Sequence, residues 1–150
     1  MTKFFNRRGL FLAVSGVGAA IASLPHLIER IFGPRENETK WIEPESLATA
    51  SSEPHGLIII DVRNPEEFSG PAGHIPGARN IPVEQLIAAP SNFGLPIERP
   101  IVMVCLTDKR SDRAAKALHA AGFAHVFVLR GGMQRWNAQR RPTEQAAIEA

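Results

Sequence analysis

The residues of this chain best suited to chemistry are a single cysteine and the basic side chains that follow it. Cys105, the only cysteine, ends the apolar run Ile101 to Val104 and precedes a segment with helix signals. Unpaired N–H groups and the helix dipole at a helix N-terminus favour negative charge, and basic neighbours such as Lys109 and Arg110 favour a thiolate further. We therefore expect Cys105 to be a nucleophilic thiolate. The alternative is a small buried hydrophobe that finishes a strand.

Short apolar runs supply the strands that would position Cys105. They are rich in valine and isoleucine and apolar on successive residues, as in parallel strands buried on both faces. The runs are Leu57 to Ile60, Ile101 to Val104 and Val126 to Leu129. A shorter strand is predicted at Trp41-Ile42. In open sheets of this kind, ligands bind just outside the carboxyl ends of the strands, which is where Cys105 lies.

Helix signals alternate with these strands. Proline with acidic residues behind it marks three helix starts, at Pro44, Pro65 and Pro82. Ser111 is a candidate N-cap for a helix over Asp112 to Ala121, which Gly122 is expected to end. Strands that alternate with helices at this spacing predict an α/β domain with a parallel sheet covered on both sides.

Composition narrows the possible functions. A chain of 150 residues, 44% hydrophobic and 21% charged, fits one globular domain plus a short extra segment. A single cysteine excludes an internal disulfide. Residues 36 to 100 carry ten acidic and four basic side chains, which argues against nucleic acid as a partner. The histidines are scattered without metal-ligand spacing, so no metal is expected.

The N-terminus has the layout of an export signal. Lys3, Arg7 and Arg8 precede the uncharged stretch Leu10 to Leu24, which is rich in glycine, alanine and serine. The segment Asn6 to Leu12 resembles the bacterial twin-arginine signal, whose pathway carries folded proteins. We therefore predict a periplasmic protein.

The export signal has a candidate cleavage site, and two further interpretations of this segment stay open. Cleavage after Ala20-Ile21-Ala22 would leave Ser23 as the first residue. Without cleavage, the span Gly9 to Ile28 is long enough to tether the domain to the inner membrane. A buried amphipathic helix is the weakest option, because polar residues at helical spacing are missing. Residues 1–28 are thus predicted to be a signal peptide or membrane anchor, and residues 29–40 a linker.

Five blocks of the remaining sequence match a known family in order and spacing. They are WIEPESL at 41–47, IIIDVRNPEEF at 58–68, GHIPGARNIP at 73–82, CLTDKRS at 105–111 and LRGGMQRW at 129–136. Together they resemble the rhodanese-like sulfurtransferase domain. The resemblance covers residues 41–142 and leaves a polar tail at 143–150.

The resemblance implies a central parallel five-stranded sheet with helices on both faces, and the activity of a thiosulfate sulfurtransferase without a cofactor. Cys105 would take a sulfane sulfur from a small anionic donor such as thiosulfate and hold it as a persulfide. The acceptor would be a small thiol, cyanide or a protein.

The loop after Cys105 suits this task. A six-residue turn from Cys105 to Arg110 can aim successive N–H groups at a persulfide anion. Arg110 matches the loop arginine of the family, and its planar fork could bind the oxyanion of the donor. Further candidate substrate contacts are Lys109, Thr107 and Ser111. The alternatives are a solvated position for Lys109 and an N-cap for Ser111.

Other matched residues are predicted to support the fold. Asp61 and Arg63 follow the first central strand, where an ion pair can hold the neighbouring loop. His74 lies in a tight turn and is expected to satisfy backbone groups rather than act as a base. Gly131-Gly132 should form a close turn before a final helix, with Trp136 packed on the core.

Three positions depart from the family pattern. Asp108 stands where glycine is common. Aspartate adopts left-handed backbone angles less freely than glycine, and its negative charge would oppose an anionic donor. The segment before GHIPGA is about two residues longer than usual, and Arg140 replaces a glycine between Trp136 and Pro142.

Two alternative functions remain. A binding or sensing module could keep the fold without turnover. A phosphatase or arsenate reductase on the same fold is less favoured, because four residues rather than five separate Cys105 from Arg110.

Overall fold

The computed structural model of the chain describes residues 38–51 and 56–145. The predicted signal or anchor segment, nearly all of the predicted linker and most of the polar tail lie outside these residues. None of the helices within the described ranges is long and apolar enough to cross a bilayer. These ranges also contain no cluster of three or more side chains suited to hold a metal ion.

The described residues form one five-stranded sheet in which every neighbouring pair of strands is parallel. The strands are β1 (Lys40–Ile42), β2 (Ile58–Asp61), β3 (Arg79–Asn80), β4 (Ile101–Val104) and β5 (Val126–Leu129). Their order across the sheet is β1-β5-β4-β2-β3. The strand that ends at Cys105 is therefore the central one, and its four residues are all buried.

Helices cover both faces of the sheet, which confirms the predicted fold class. They are α1 (Pro44–Ser51), α2 (Pro65–Phe68), α3 (Val83–Ala88), α4 (Lys109–Ala120) and α5 (Gly132–Ala138), with a 3₁₀ turn at Pro90–Phe93. Side chains of α3 and α4 pack on one face, and side chains of α1 and α5 pack on the other. Because both faces are covered, the three inner strands β2, β4 and β5 are apolar on successive residues, whereas the edge strands β1 and β3 are not.

The prolines mark the helix starts closely. Helices α1 and α2 begin at Pro44 and Pro65, and α3 begins one residue after Pro82. Proline is tolerated there because the N–H group that it lacks would have no intrahelical acceptor.

The predicted start of α4 was wrong by three residues. The helix begins at Lys109, so Ser111 lies inside its first turn and is not the N-cap. Ser111 is buried together with Ala114, Ala115 and Leu118, a spacing that places all four on one helix face. The serine therefore belongs to the core-facing stripe, and packing of this stripe extends the helix towards Cys105. The helix ends at Ala120, one residue before the predicted end, and Gly122 follows it with a φ of +95°.

Candidate active site

Cys105 lies directly after β4 at the carboxyl edge of the sheet. Its side chain borders the apolar cluster on the α4 face and is only 1% exposed. Among the described residues, the side chain within hydrogen-bond distance of the sulfur is Ser111, whose Oγ lies 3.3 Å from Cys105 Sγ. The thiol is thus more deeply buried than a nucleophile on an open loop would be.

The Ser111 hydroxyl links this sulfur to the loop. Its Oγ donates to the carbonyl oxygen of Asp108 at 2.9 Å. A hydroxyl has one proton and two lone pairs, so Ser111 can accept a hydrogen bond from the Cys105 thiol while it donates to Asp108. If Cys105 loses its proton, the same hydroxyl can turn and donate to the sulfur anion.

The backbone of the loop after Cys105 is satisfied on one side only. The carbonyl oxygens of Cys105 and Leu106 accept hydrogen bonds from the N–H groups of Met133 and Gln134, at 2.8 and 2.9 Å. In a trans peptide the N–H group points opposite to the carbonyl. The N–H groups of Leu106 and Thr107 therefore point away from α5.

Six successive N–H groups, those of residues 106–111, have no acceptor within the part of the chain that the structure describes. Backbone N–H groups gathered in a turn form a concave site for an anion. The first turn of α4 contributes the last three, because the first N–H groups of a helix have no intrahelical acceptor. The loop is therefore built to receive negative charge beside Cys105.

Gly132 makes the contact between α5 and this loop possible. Its φ is +54°, and a Cβ at this position would lie 2.1 Å from the carbonyl oxygen of Thr107 and 2.4 Å from that of Cys105. Only glycine permits so close an approach of two backbones. The close turn expected at Gly131-Gly132 is present, and Trp136 behind it is 1% exposed.

Arg110 does not present a free guanidinium group to the loop. Its Nη1 and Nη2 donate to the two carboxylate oxygens of Glu67 at 2.6 and 2.8 Å. These hydrogen bonds are the main cause that lowers the pKa of Glu67 from 4.5 to about 2, and they raise the pKa of Arg110. Both side chains are about one-third exposed, so the pair is charged and partly open to solvent.

Sequence reasoning missed Glu67. This residue counted only as an acid in the first turn of α2, where it caps the helix by accepting from the Asn64 N–H group at 3.2 Å. An Asn-x-x-Glu spacing at a helix start is a local signal for such a cap. It carries no information about a partner such as Arg110, which lies 43 residues further along the chain.

Asp61 and Arg63 form a buried ion pair at the end of β2. Arg63 Nη2 donates to Asp61 Oδ2 at 2.7 Å and to the carbonyl oxygen of Gly73 at 2.9 Å. Both side chains are at most 2% exposed. Asn80 adds hydrogen bonds to the carbonyl oxygens of Asp61 and Arg63. These contacts tie together the end of β2, the turn before His74 and β3.

The contacts of His74 are also local. Its Nδ1 lies 3.0 Å from the carbonyl oxygen of Phe68, and its ring stacks on the Phe68 ring with centroids 3.6 Å apart. Its Nε2 lies 3.4 Å from the carboxylate of Glu144. The backbones of His74 and Glu144 are also paired, so the ring helps to hold the segment at Glu144 against the turn.

The remaining loop side chains differ in their surroundings. Lys109 is exposed, and it makes no ion pair with another described residue. Thr107 is half-buried, and its carbonyl oxygen faces Gly132. Asp108 has a φ of −154°, so its backbone does not need the left-handed conformation that glycine adopts freely. Arg140 does take a left-handed conformation, with a φ of +53°, at the position where the family pattern has glycine.

Comparison with known proteins agrees with this architecture. The family model of the Rhodanese-like domain matches residues 43–139. The solved rhodanese-like domain of the Anabaena sp. protein Alr3790 is 31% identical, with a TM-score of 0.62, over 75% of this chain and 86% of that one.

Curated relatives match the same region. The Bacillus subtilis protein YqhL, which is uncharacterised, is 40% identical over 54% of this chain and 61% of its own length. Thiosulfate sulfurtransferase GlpE of Pseudomonas aeruginosa is 33% identical over 56% of this chain and 73% of its own length. A sulfurtransferase of Allochromatium vinosum is 30% identical over 63% of this chain and 85% of its own. The chain belongs to the rhodanese-like domain family.

Proposed function

We propose that this protein is a sulfurtransferase that moves sulfane sulfur from a thiosulfate-type donor to a nucleophilic acceptor through a persulfide on Cys105. The observation that carries the proposal is the loop over residues 106–111. Its six N–H groups have no acceptor among the described residues, and they follow directly after the cysteine. An anion held beside the cysteine could accept hydrogen bonds from these groups.

The reaction divides into two displacements at sulfur. The Cys105 thiolate attacks the outer sulfur of thiosulfate, a new S–S bond forms, and the donor S–S bond breaks with its electron pair leaving on sulfite. Cyanide or a thiolate then attacks the outer sulfur of the persulfide, and Cys105 departs as a thiolate. No external oxidant or reductant is needed, because the sulfur moves as a neutral atom between two nucleophiles.

The loop lowers the energy of the charged intermediate. A persulfide anion between the two steps would accept hydrogen bonds from the N–H groups of residues 106–111, which are already positioned by α4 and α5. The Ser111 hydroxyl, 3.3 Å from Sγ, would supply a further donor. Thr107 and Lys109 lie in the same loop, and the positive charge of Lys109 would attract an arriving anion.

The names of two relatives support a sulfurtransferase, and one of them is called a thiosulfate sulfurtransferase. The test uses the full-length protein with thiosulfate and cyanide, and measures thiocyanate and sulfite together. We expect turnover by the wild type and none by Cys105→Ser. Mass spectrometry after thiosulfate alone should show about 32 Da, one sulfur atom, added to the wild type only.

A second candidate function is a binding module without turnover. Two observations favour it: Cys105 is only 1% exposed, and the fork of Arg110 is occupied by Glu67. If wild type and Cys105→Ser are equally inert with thiosulfate, a thiosulfonate and a small-molecule persulfide, the binding module replaces the enzyme.

For location, we propose a periplasmic protein exported by the twin-arginine pathway, with or without a remaining tether to the inner membrane. The support is the sequence pattern around Arg7 and Arg8. The double variant Arg7→Lys and Arg8→Lys should accumulate in the cytoplasm upon cell fractionation, while wild type reaches the periplasm or its membrane. Equal distribution of the two proteins would refute this location.

A further inference from the structure

The charged side chains around the Cys105 loop cancel one another. Lys109 and Arg110 are positive, Asp108 is negative, and Glu67 reaches in from α2 to pair with Arg110. Without Glu67 the loop would carry a net positive charge, and with it the formal charge is zero before the thiolate is counted. The loop thus offers hydrogen-bond donors to an anion but little net attraction.

We propose that Glu67 is a specificity-determining residue that, by holding Arg110, makes the Cys105 site favour sulfur donors with one negative charge over donors with two. This inference rests on the sulfurtransferase function proposed above and names the class of donor that the site prefers.

The geometry of the pair supports this role. Both terminal nitrogens of Arg110 are engaged, each with its own oxygen of Glu67. A planar guanidinium group binds one carboxylate or one sulfonate in this two-pronged manner, but not both at the same edge. A donor must therefore displace Glu67, or bind elsewhere, for example at the Nε edge of Arg110, while the carboxylate of Glu67 stays paired with the guanidinium group.

Either route disfavours the second charge of a dianion. If Glu67 is displaced, its carboxylate stays beside the donor as a like charge. If Glu67 stays, the positive charge of Arg110 is already neutralised, and exposed Lys109 is the remaining cation of the loop. The low pKa of Glu67, about 2, keeps its carboxylate charged throughout the neutral range. Backbone N–H groups can still stabilise one negative charge, so a monoanion loses less.

Two donors of nearly the same shape separate charge from size. Methanethiosulfonate differs from thiosulfate by a methyl group in place of one oxygen anion, so it carries one negative charge instead of two. Both deliver the same outer sulfur, and they release methanesulfinate and sulfite respectively. The measured quantity is the ratio of kcat/KM for thiosulfate to kcat/KM for methanethiosulfonate.

The critical variant is Glu67→Gln. The amide oxygen can still cap the Asn64 N–H group, while the negative charge is removed. We expect the ratio of kcat/KM for thiosulfate to that for methanethiosulfonate to rise about fivefold, which is the effect of removing one charge from a partly exposed site. An unchanged or lower ratio would overturn the proposal, and a fall in both activities at constant ratio would mean that Glu67 only positions Arg110.

Glu66→Gln is the matched control. Glu66 is the neighbouring residue with the same charge, it is exposed, and it makes no ion pair with another described residue. Its neutralisation should shift the ratio by less than about twofold, because solvent screens an unpaired surface charge. Glu67→Asp is a second variant if Glu67→Gln does not fold: it keeps the charge but shortens the reach to Arg110, and we expect a ratio between those of wild type and Glu67→Gln.

A binding assay separates this inference from the proposed function. Sulfate and methanesulfonate reproduce the same charge difference without a transferable sulfur, and each can be tested for protection of Cys105 from alkylation by neutral iodoacetamide. Glu67→Gln should improve protection by sulfate more than protection by methanesulfonate. That result would support the role of Glu67 even if no donor is turned over. Turnover of both donors with equal protection in wild type and variant would keep the enzyme and refute the selectivity.

Discussion

The loops after β2 and after β4 begin side by side on the sheet and differ in how their polar groups are used. After β2, the carboxylate of Asp61 accepts three donors of Arg63, and Asn80 bonds two backbone carbonyl oxygens. After β4, residues 106–111 leave six N–H groups without an acceptor in the described structure. The polar groups after β2 form hydrogen bonds within the protein, whereas the N–H groups after β4 are free to bind a ligand.

The two ion pairs of these loops differ in the same sense. The Asp61–Arg63 pair is at most 2% exposed, and the Glu67–Arg110 pair is about one-third exposed. A buried pair cannot lose one partner without leaving an uncompensated charge. A partly exposed pair can rearrange, because water can solvate the released group. The first pair therefore suits a scaffold, and the second suits a site that must admit an anion.

The comparison is tested most severely by Asp61→Ala. This change leaves Arg63 charged and buried, so we expect the free energy of unfolding to fall by about 3–5 kcal/mol, as measured by urea denaturation. Glu84→Ala is the control, because it removes the acid of the exposed pair with Arg113 and should cost less than about 1 kcal/mol. Equal losses in the two variants would mean that burial does not distinguish the pairs.

Gly132→Ala tests the support of the loop after β4. The new Cβ would collide with the carbonyl oxygens of Thr107 and Cys105, so we expect a loss of about 1–3 kcal/mol or more in stability and a fall in sulfur transfer. Gly94→Ala has a similar φ of +60° and no atom within 4 Å of its Cβ. It should cost only about 1 kcal/mol of strain and leave the activity intact. Similar activity in both variants would contradict the supporting role of α5.

The half-exposed pair should contribute a small, pH-dependent stability. The pKa of Glu67 is lowered from 4.5 to about 2 by its hydrogen bonds with Arg110. A lowered pKa stabilises the folded state above pH 4.5, and this contribution is lost as the pH falls towards 2. Wild type should exceed Glu67→Gln by about 1 kcal/mol or less at pH 7, and urea unfolding should show the gap closing between pH 4.5 and pH 2. A gap that widens with acidity would disprove the assigned cause.

Arg140→Gly tests a strained backbone position that lies outside both loops. Arg140 is exposed and has a φ of +53°, so glycine should raise the melting temperature slightly, by a gain of about 0.5–1 kcal/mol. Ala138→Gly, at the end of α5, should instead lower stability by a similar amount. A loss in both variants would show that the Arg140 side chain contributes more than its backbone conformation costs.

Periodicity and proline placement predicted four of the five strands, and the starts of α1, α2 and α3 to within one residue. The two-residue strand β3 was not predicted from its own residues. Runs such as Ile101 to Val104 are apolar on successive residues only when both faces of a strand are covered, and this burial is present. Pro44 and Pro65 mark helix starts because the first N–H groups of a helix need no intrahelical acceptor. The start of α4 was mispredicted, since Ser111 has the local features of an N-cap but packs in the core-facing stripe.

By itself, the sequence determined the class of fold and the position of Cys105 at the carboxyl end of a buried strand, because both follow from patterns among near neighbours in the chain. That this strand is the central one follows only from the strand order of the folded sheet. Tertiary structure alone decided that Glu67 forms an ion pair with Arg110, that Ser111 contacts the thiol, and that Cys105 is only 1% exposed. The Glu67–Arg110 pair joins residues 43 apart in the chain. The burial of Cys105 and its contact with Ser111 depend on how α4 packs against the sheet, and no local pattern encodes which side chains meet there.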